Sequence, residues 1–236
     1  PNGLINVKTI YSTNTAFAAL KNDGTVQAWG SSSGGGNAPT GLSNVKTIYS
    51  IANAFAALKN DNTVVAWGVS SQGGIAPSGL TNVKTIFSSI NAFVALKYDN
   101  TVVAWAYSFS AGSPPIGLGD VKTICSTTYA FLALKNDNTV VAWGMSSFGG
   151  IAPSGLSNVK NIYSTGLAFV ALLNDNTVIA WGDSSYGGSA PSGLSNVKTI
   201  YSTVHAFAAL LNDNTVIAWG DSNNGGSAPS GLNNVK

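Results

Sequence analysis

The sequence predicts an all-β fold, a β-propeller of six 38-residue blades with three to four antiparallel strands in each. Three observations carry this prediction. Trp29, Trp67, Trp105, Trp143, Trp181 and Trp219 recur every 38 residues with no insertion or deletion between them. A strict period of roughly 20–50 residues marks a solenoid, a propeller or an array. Each period also holds short β-branched and aromatic runs, and a tight turn joins two of them. Parallel β-helix coils are shorter and lack such hairpins, so the propeller is the better reading. An open ring, or a fragment of a larger propeller array, is the alternative.

The second repeat serves as the type. Val45-Lys46-Thr47-Ile48-Tyr49-Ser50 is rich in β-branched and aromatic residues and predicts a first strand. After the loop Ile51-Ala52-Asn53, the run Ala54-Phe55-Ala56-Ala57-Leu58-Lys59 is apolar on both sides. Its shortness and its flanking turn residues favour a strand buried on both faces over a helix. Asn60-Asp61-Asn62 then reverses the chain. A three-residue hairpin loop needs a left-handed residue at its last position. Gly24 holds that place in the first repeat and Asn62, Asn100, Asn138, Asn176 and Asn214 in the others, the residue types that adopt φ > 0 most cheaply. Thr63 to Trp67 predicts the third strand. The Ser-, Gly- and Pro-rich stretch after Gly68 predicts a short outer strand, confined to an edge by Pro77. Blades are expected at 6–43, 44–81, 82–119, 120–157, 158–195 and 196–233, within one repeat domain over 1–236.

Composition excludes several function classes. Charged residues make up 8% of the chain, all Lys or Asp, with a net charge of +2. Arg, the usual fork for phosphate and guanine, and Glu, a common general acid or base, are absent. No basic stripe suggests nucleic acid, and no apolar run is long enough to span a membrane. Cys125, the one cysteine, stands where sister repeats have Tyr49 and Tyr163, which predicts an inert, buried thiol. The start at Pro1 is compatible with a removed leader or an excised segment. Pro1–Lys8 and Pro229–Lys236 are equivalent octets. A closed six-blade ring has one slot for them, so one copy is displaced, or the copies meet between molecules, or the chain is a piece of a longer array. Self-association through the octets is therefore one expectation.

The run Ala16 to Gly30, Ala-Phe-Ala-Ala-Leu-Lys-Asn-Asp-Gly-Thr-Val-Gln-Ala-Trp-Gly, followed by paired Gly and a Pro, resembles the regulator-of-chromosome-condensation (RCC1) repeat superfamily. Val178-Ile179-Ala180-Trp181-Gly182 is similar to its short-repeat bacterial branch, the β-lactamase inhibitor protein II type. The resemblance covers all six repeats. It implies a propeller, usually of seven blades, and for that branch a secreted, inhibitor-like protein. Chromatin-associated members often carry His in the second strand where this chain has Ala16 and Ala54, so nucleotide exchange is not implied.

Little supports catalysis or cofactor binding. No triad or metal cluster can be assembled from one His and one Cys. Asp183-Ser184-Ser185-Tyr186-Gly187 and Asp221-Ser222-Asn223-Asn224-Gly225 lack the further acidic ligands that calcium needs. Gly73-Gly74 has no following helix to cradle a phosphate, so the paired glycines are read as a tight bend. Variation among the repeats is the better guide. It concentrates in the loop after the first strand and in the stretch after the Trp, which the strand directions place at one end of the blade. The candidate ligand-binding residues are Tyr107, Phe109, Tyr129, Phe148, Leu167, Tyr186, His205, Asn53, Asn91, Gln72 and Asn224. They form an uncharged, aromatic and Ser/Asn/Gly-rich set of paratope-like composition. The opposite end, with the Asp turns and strand-starting Lys8, Lys46, Lys84, Lys122, Lys160 and Lys198, reads as a solvated face. The chain is thus expected to be a non-catalytic, extracellular or cell-surface binding module for a protein partner. A multivalent glycan-binding lectin or a surface-array component is the alternative.

Overall fold

A computed structural model of the chain describes residues 4–106, 113–232, 234 and 235. Two compact units divide it, Pro1–Gly119 and Asp120–Lys236. The first holds β1 (Val7–Ser12), β2 (Ala16–Lys21), β3 (Val26–Gly30), β4 (Val45–Ser50), β5 (Ala54–Lys59), β6 (Val64–Gly68), β7 (Val83–Ser88), β8 (Ala92–Lys97) and β9 (Val102–Ala106). The second holds β10 (Val121–Ser126), β11 (Ala130–Lys135), β12 (Val140–Gly144), β13 (Val159–Ser164), β14 (Ala168–Leu173), β15 (Val178–Gly182), β16 (Val197–Ser202), β17 (Ala206–Leu211) and β18 (Val216–Gly220). They form six three-stranded antiparallel sheets, β1-β2-β3 and its repeats, each a propeller blade.

Strand alternation gives every blade two faces. Register places Ile48 opposite Ala57 and Phe55 opposite Trp67, so Ile48, Phe55, Ala57, Val65 and Trp67 share the rear face of the second blade. Tyr11, Ala16, Ala18, Leu20, Val26 and Ala28 share the front face of the first blade and pack onto that rear face. The same front-to-rear contact joins the second blade to the third, the fourth to the fifth and the fifth to the sixth. The middle strands β5, β8, β11 and β14 are therefore buried along all but their last residue, as their continuous apolar runs predicted, whereas Phe17 on β2 is exposed. Small Ala and Val side chains on the front face leave room for the Phe and Trp rings opposite. Phe55, Phe93, Phe131, Phe169 and Phe207 are almost entirely buried, and each ring lies 5.1–5.8 Å from the Trp beside it. Burial of one such side chain stabilises by about 1.5–3 kcal/mol.

A buried indole N–H needs an acceptor, and a glycine carbonyl of the preceding blade supplies it. Trp67 donates to Gly35 at 2.9 Å, Trp105 to Gly73 at 3.2 Å, Trp181 to Gly149 at 3.0 Å and Trp219 to Gly187 at 2.9 Å. These glycines have φ of 87–99°, and a Cβ on Gly187 would sit 2.6 Å from Phe207. The glycine pair is thus a tight bend pressed against the next blade.

The hairpin turns match the expectation, with φ of 78° at Gly24 and 63–65° at Asn62, Asn100, Asn138, Asn176 and Asn214. The outer strand does not form among the described residues. After Gly68 the chain makes a 3-10 turn, Ser70–Gln72, repeated at Ser146–Phe148, Ser184–Tyr186 and Ser222–Asn224. Gly68 (φ 120°) and Gly73 (φ 95°) turn the backbone out of the extended region on either side. The Gly74 N–H then donates to the Val69 carbonyl at 2.9 Å, closing the bend. Pro77 lies in a second turn, closed by the Leu80 N–H on its carbonyl at 3.3 Å.

Candidate binding face

In each blade the first strand ends at one pole, here the upper one. The loop to the second strand and the 3-10 turn after the third both lie there. Two sets of bonds fix them. Thr165, 4% exposed, donates from Oγ1 to the Tyr186 carbonyl at 2.9 Å and accepts the Ala168 N–H at 3.1 Å. Thr127 donates in the same way to the Phe148 carbonyl at 3.1 Å and Thr203 to the Asn224 carbonyl at 3.2 Å. One hydroxyl thus ties the 3-10 turn to the loop of its own blade in the fourth, fifth and sixth blades, while the second has Ile51 at that position. Loop tips are linked from blade to blade by their backbones. Asn14 donates to Ala52 at 2.9 Å and Ala52 to Ile90 at 3.0 Å. In the second unit Thr128 donates to Gly166 and Gly166 to Val204, both at 2.7 Å.

On this frame the varied residues form a row with a step of 19 residues. Asn53 Nδ2 donates to Gln72 Oε1 at 2.6 Å, across one blade. Tyr129 meets Phe148 edge-on, centroids 5.0 Å apart, also within one blade. Tyr186 instead lies 4.9 Å from His205, the loop residue of the next blade. The same step therefore leads from a loop to its own 3-10 turn and from that turn to the following loop. In the second unit the row runs Tyr129, Phe148, Leu167, Tyr186, His205, Asn224; in the first it runs Thr15, Gly34, Asn53, Gln72, Asn91. The first row is small and polar, while the second carries four aromatic rings and a leucine. Tyr129, Phe148, Leu167, Tyr186 and His205 are half-buried and Asn224 is exposed. Phe148 and Tyr186 also rest on the cores between blades, which fixes their rings. His205 is half-buried and packed on Tyr186.

Nine of the eleven residues singled out by repeat variation belong to these two rows. Tyr107 and Phe109 lie outside the described residues. In the third repeat the Pro turn recurs at Pro115, with the Leu118 N–H on the Pro115 carbonyl at 3.1 Å. Sequence reasoning did not find the blade-to-blade backbone links or the 19-residue step. The recurrence of both varied positions at a constant spacing was the available signal.

The acidic groups have structural partners. Asp183 and Asp221 accept the N–H of Ser185 at 2.8 Å and of Asn223 at 2.9 Å, capping their 3-10 turns. Asn224 Nδ2 reaches Asp221 at 2.7 Å and, with the Asn223 N–H, holds that carboxyl below its ordinary value. Among the described residues no three His, Cys, Asp or Glu come together as a metal site would require. Cys125 is half-buried at a blade interface, and burial pushes its thiol well above the usual range against a hydrogen bond from Ser164. At the lower pole the ion pairs join Lys59 to Asp61, Lys97 to Asp99 and Lys135 to Asp137 at 3.2, 3.0 and 2.9 Å. The lysines involved end the second strands; the strand-starting lysines make none of these three pairs.

No protein-family model matches the chain, and no curated protein matches it in sequence. Solved structures do match in fold. The ectodomain of the receptor kinase CR4 from Physcomitrella patens superposes with a TM-score of 0.61 at 18% identity, covering 94% of this chain and 64% of that one. Prp20p of Saccharomyces cerevisiae, the yeast RCC1, has a TM-score of 0.57 at 16% identity over 93% of this chain and 73% of its own. Human WBSCR16 gives 0.56 at 14% identity over 90% and 76%. The chain thus spans 64% of the length of the CR4 ectodomain it matches. Six three-stranded blades with these likenesses make the chain an all-β propeller of RCC1-like fold.

Proposed function

We propose that the chain is a non-catalytic protein-recognition module whose contact surface is the upper row Tyr129, Phe148, Leu167, Tyr186, His205 and Asn224. The observation that carries this reading is the packing of Tyr129 on Phe148 and of Tyr186 on His205, on a frame otherwise nearly constant from blade to blade. Rigid aromatic rings ringed by Ser, Asn and Gly supply contact area at small entropic cost. Prp20p, of like fold, is described by its binding to Gsp1p and histones, which is the kind of partner a propeller face can take. An inhibitor role, secretion and placement at the cell surface are part of the proposal through the resemblance to the bacterial branch.

The test is affinity capture from extracellular fluid on three columns: wild type, the double variant Tyr129→Ala/Tyr186→Ala, and Lys46→Ala/Lys84→Ala. A protein held by the first and third columns and lost from the second supports the upper row. One lost only from the lysine variant places binding at the lower pole. Glycan binding is the second reading, favoured by the sixfold near-identity of the strands. A glycan array that lights up in a manner insensitive to Tyr129→Ala would replace the protein reading with it. Self-association through the equivalent terminal octets belongs to the proposal as well. The Val235 N–H donates to the Asn214 carbonyl at 3.2 Å, as Val45 does to Gly24 and Val197 to Asn176, so Val235 is held as the residue that opens each new blade is held.

A further inference from the structure

We propose that a pocket at the lower pole, between the first and second blades, binds a phosphate or sulfate monoester carried on a small polar group such as a sugar. Its volume is about 220 Å³, and Lys8, Lys21 and Lys46 line it together with Asn22, Gly24 and Asn60. Both walls belong to the first unit. The strand-starting lysines read from the sequence only as part of a solvated face. This site lies at the opposite pole from the upper row and uses none of its residues.

The positive charge in this pocket is largely uncompensated. Lys8, Lys21 and Lys46 make no ion pair among the described residues, whereas Lys59, Lys97 and Lys135 are each held by the turn Asp two residues on. Asp23, the turn residue of the first blade, is the one carboxylate on the pocket. Its Oδ1 is engaged elsewhere, accepting the Thr25 hydroxyl at 2.7 Å and the Thr25 N–H at 2.9 Å. Three ammonium groups against one carboxylate thus gather in one cleft of a chain whose whole net charge is +2. The amides are free as well. Asn136 and Asn212 donate to Asp120 and Asn196 across their blades. The equivalent Asn22 and Asn60 side chains make no hydrogen bond among the described residues, so both can serve a ligand.

The turn beside the pocket departs from the repeats in the same sense. Gly24 holds the left-handed position, φ 78°, where the five other hairpins have Asn. A Cβ on Gly24 would lie 3.4 Å from the Val45 nitrogen, and Val45 is itself on the pocket wall. Glycine therefore leaves open the space beside that wall which an Asn side chain would enter. The chemistry of the lining names the ligand. Lysine ammonium groups meet phosphate and sulfate oxygens as point charges. The Asn amides both donate and accept, as the hydroxyls of a carrier require. The volume lies below the roughly 300 Å³ at which drug-sized pockets begin, so one ester group on a small carrier fills it. Lys8 and Lys46 are exposed, which makes the binding weak and sensitive to salt.

Titration of the full chain at low ionic strength, followed by NMR, reads the site through the backbone amides of Asn22, Gly24 and Asn60. A glucose monophosphate or a glucose monosulfate should shift these three and leave those of Asn138 and Asn176 in place. Glucose itself should shift none. The ester that acts at the lower concentration identifies which of the two the site takes. Lys8→Ala/Lys21→Ala should weaken binding on the order of tenfold or more, and Gly24→Asn should do the same by entering the open space. Gly24→Asn installs the residue that the sister turns carry, so it should fold, and circular dichroism checks both variants. Equal shifts at every hairpin overturn the inference, because they mean diffuse screening of surface lysines. No shift at Gly24 with either ester, or either variant binding like wild type, overturns it equally. Inorganic phosphate binding as tightly as the ester overturns the carrier. None of these outcomes touches the upper-row reading, whose residues are unchanged.

Discussion

The turn aspartates show how one residue both builds and tunes the fold. Asp61 Oδ1 accepts the Thr63 hydroxyl at 2.6 Å and its N–H at 3.1 Å, an Asx turn that holds the hairpin. The Thr63 hydroxyl, then its N–H, with help from Lys59, lowers the Asp61 carboxyl to about 2, and Thr101 with Lys97 does the same for Asp99. Asp23, Asp175 and Asp213 shift in the same direction through their own threonines. A depressed native value stabilises above the ordinary carboxylate range and is lost as pH falls through it. The thermal midpoint should therefore be flat from neutral pH down to about 4 and fall between about 4 and 2. Asn at 61, 99 and 137 together should shrink that acid-side fall. The blade-packing glycines give a second test. Gly187→Ala puts a methyl 2.6 Å from Phe207 at φ 92°. By the ordinary cost of a strained backbone it should lower stability by about 1–3 kcal/mol in urea denaturation. Gly225→Ala shares the backbone strain at φ 103° but would meet nothing closer than 3.7 Å, so it should cost less by the share that the Phe207 clash adds.

At the scale of the element, the 3-10 turn is the part that carries the candidate face. Thr165→Val removes a hydroxyl that serves both the Tyr186 carbonyl and the Ala168 N–H. Leaving buried backbone groups unpaired costs about 1–3 kcal/mol. Amide exchange should accelerate first around residues 184–188, ahead of the strands. The strands themselves were legible because burial on both faces, or on one, imprints a pattern on each run. The hairpin was legible because only Gly and Asn fill its left-handed position. The 3-10 turn was not. Ser-Ser-X-Gly-Gly has no periodicity, and what demands glycine at 73 and 74 is that a Cβ there would run into Phe93 and the Gly68 carbonyl. That crowding involves a neighbouring blade and a bent strand end, neither visible in a local stretch. The candidate row was legible only as a set of varied positions at fixed spacing. Its pairing was not, because Tyr186 meets a loop residue of the next blade and not of its own.

At the scale of the whole molecule, the scarcity of charge decides how binding should respond to solution conditions. With 8% charged residues, and the three ion pairs confined to the lower-pole turns, the upper row presents rings and amides. Salt screens interactions between exposed charges and leaves apolar contact nearly untouched. The affinity for a partner captured by the upper row should thus change little between low and moderate ionic strength. Truncating a well-packed aromatic anchor at an interface typically costs about 2 kcal/mol or more, whereas a rim lysine costs little. Tyr129→Ala or Tyr186→Ala should therefore weaken binding roughly thirtyfold at that magnitude. Phe148 and His205 should follow, because each loses the ring it packs against. Lys46→Ala and Lys84→Ala should leave the affinity unchanged. Titration calorimetry at two salt concentrations separates the cases. A steep salt dependence, with the lysine variants weakened and the tyrosine variants silent, would move the functional surface to the lower pole.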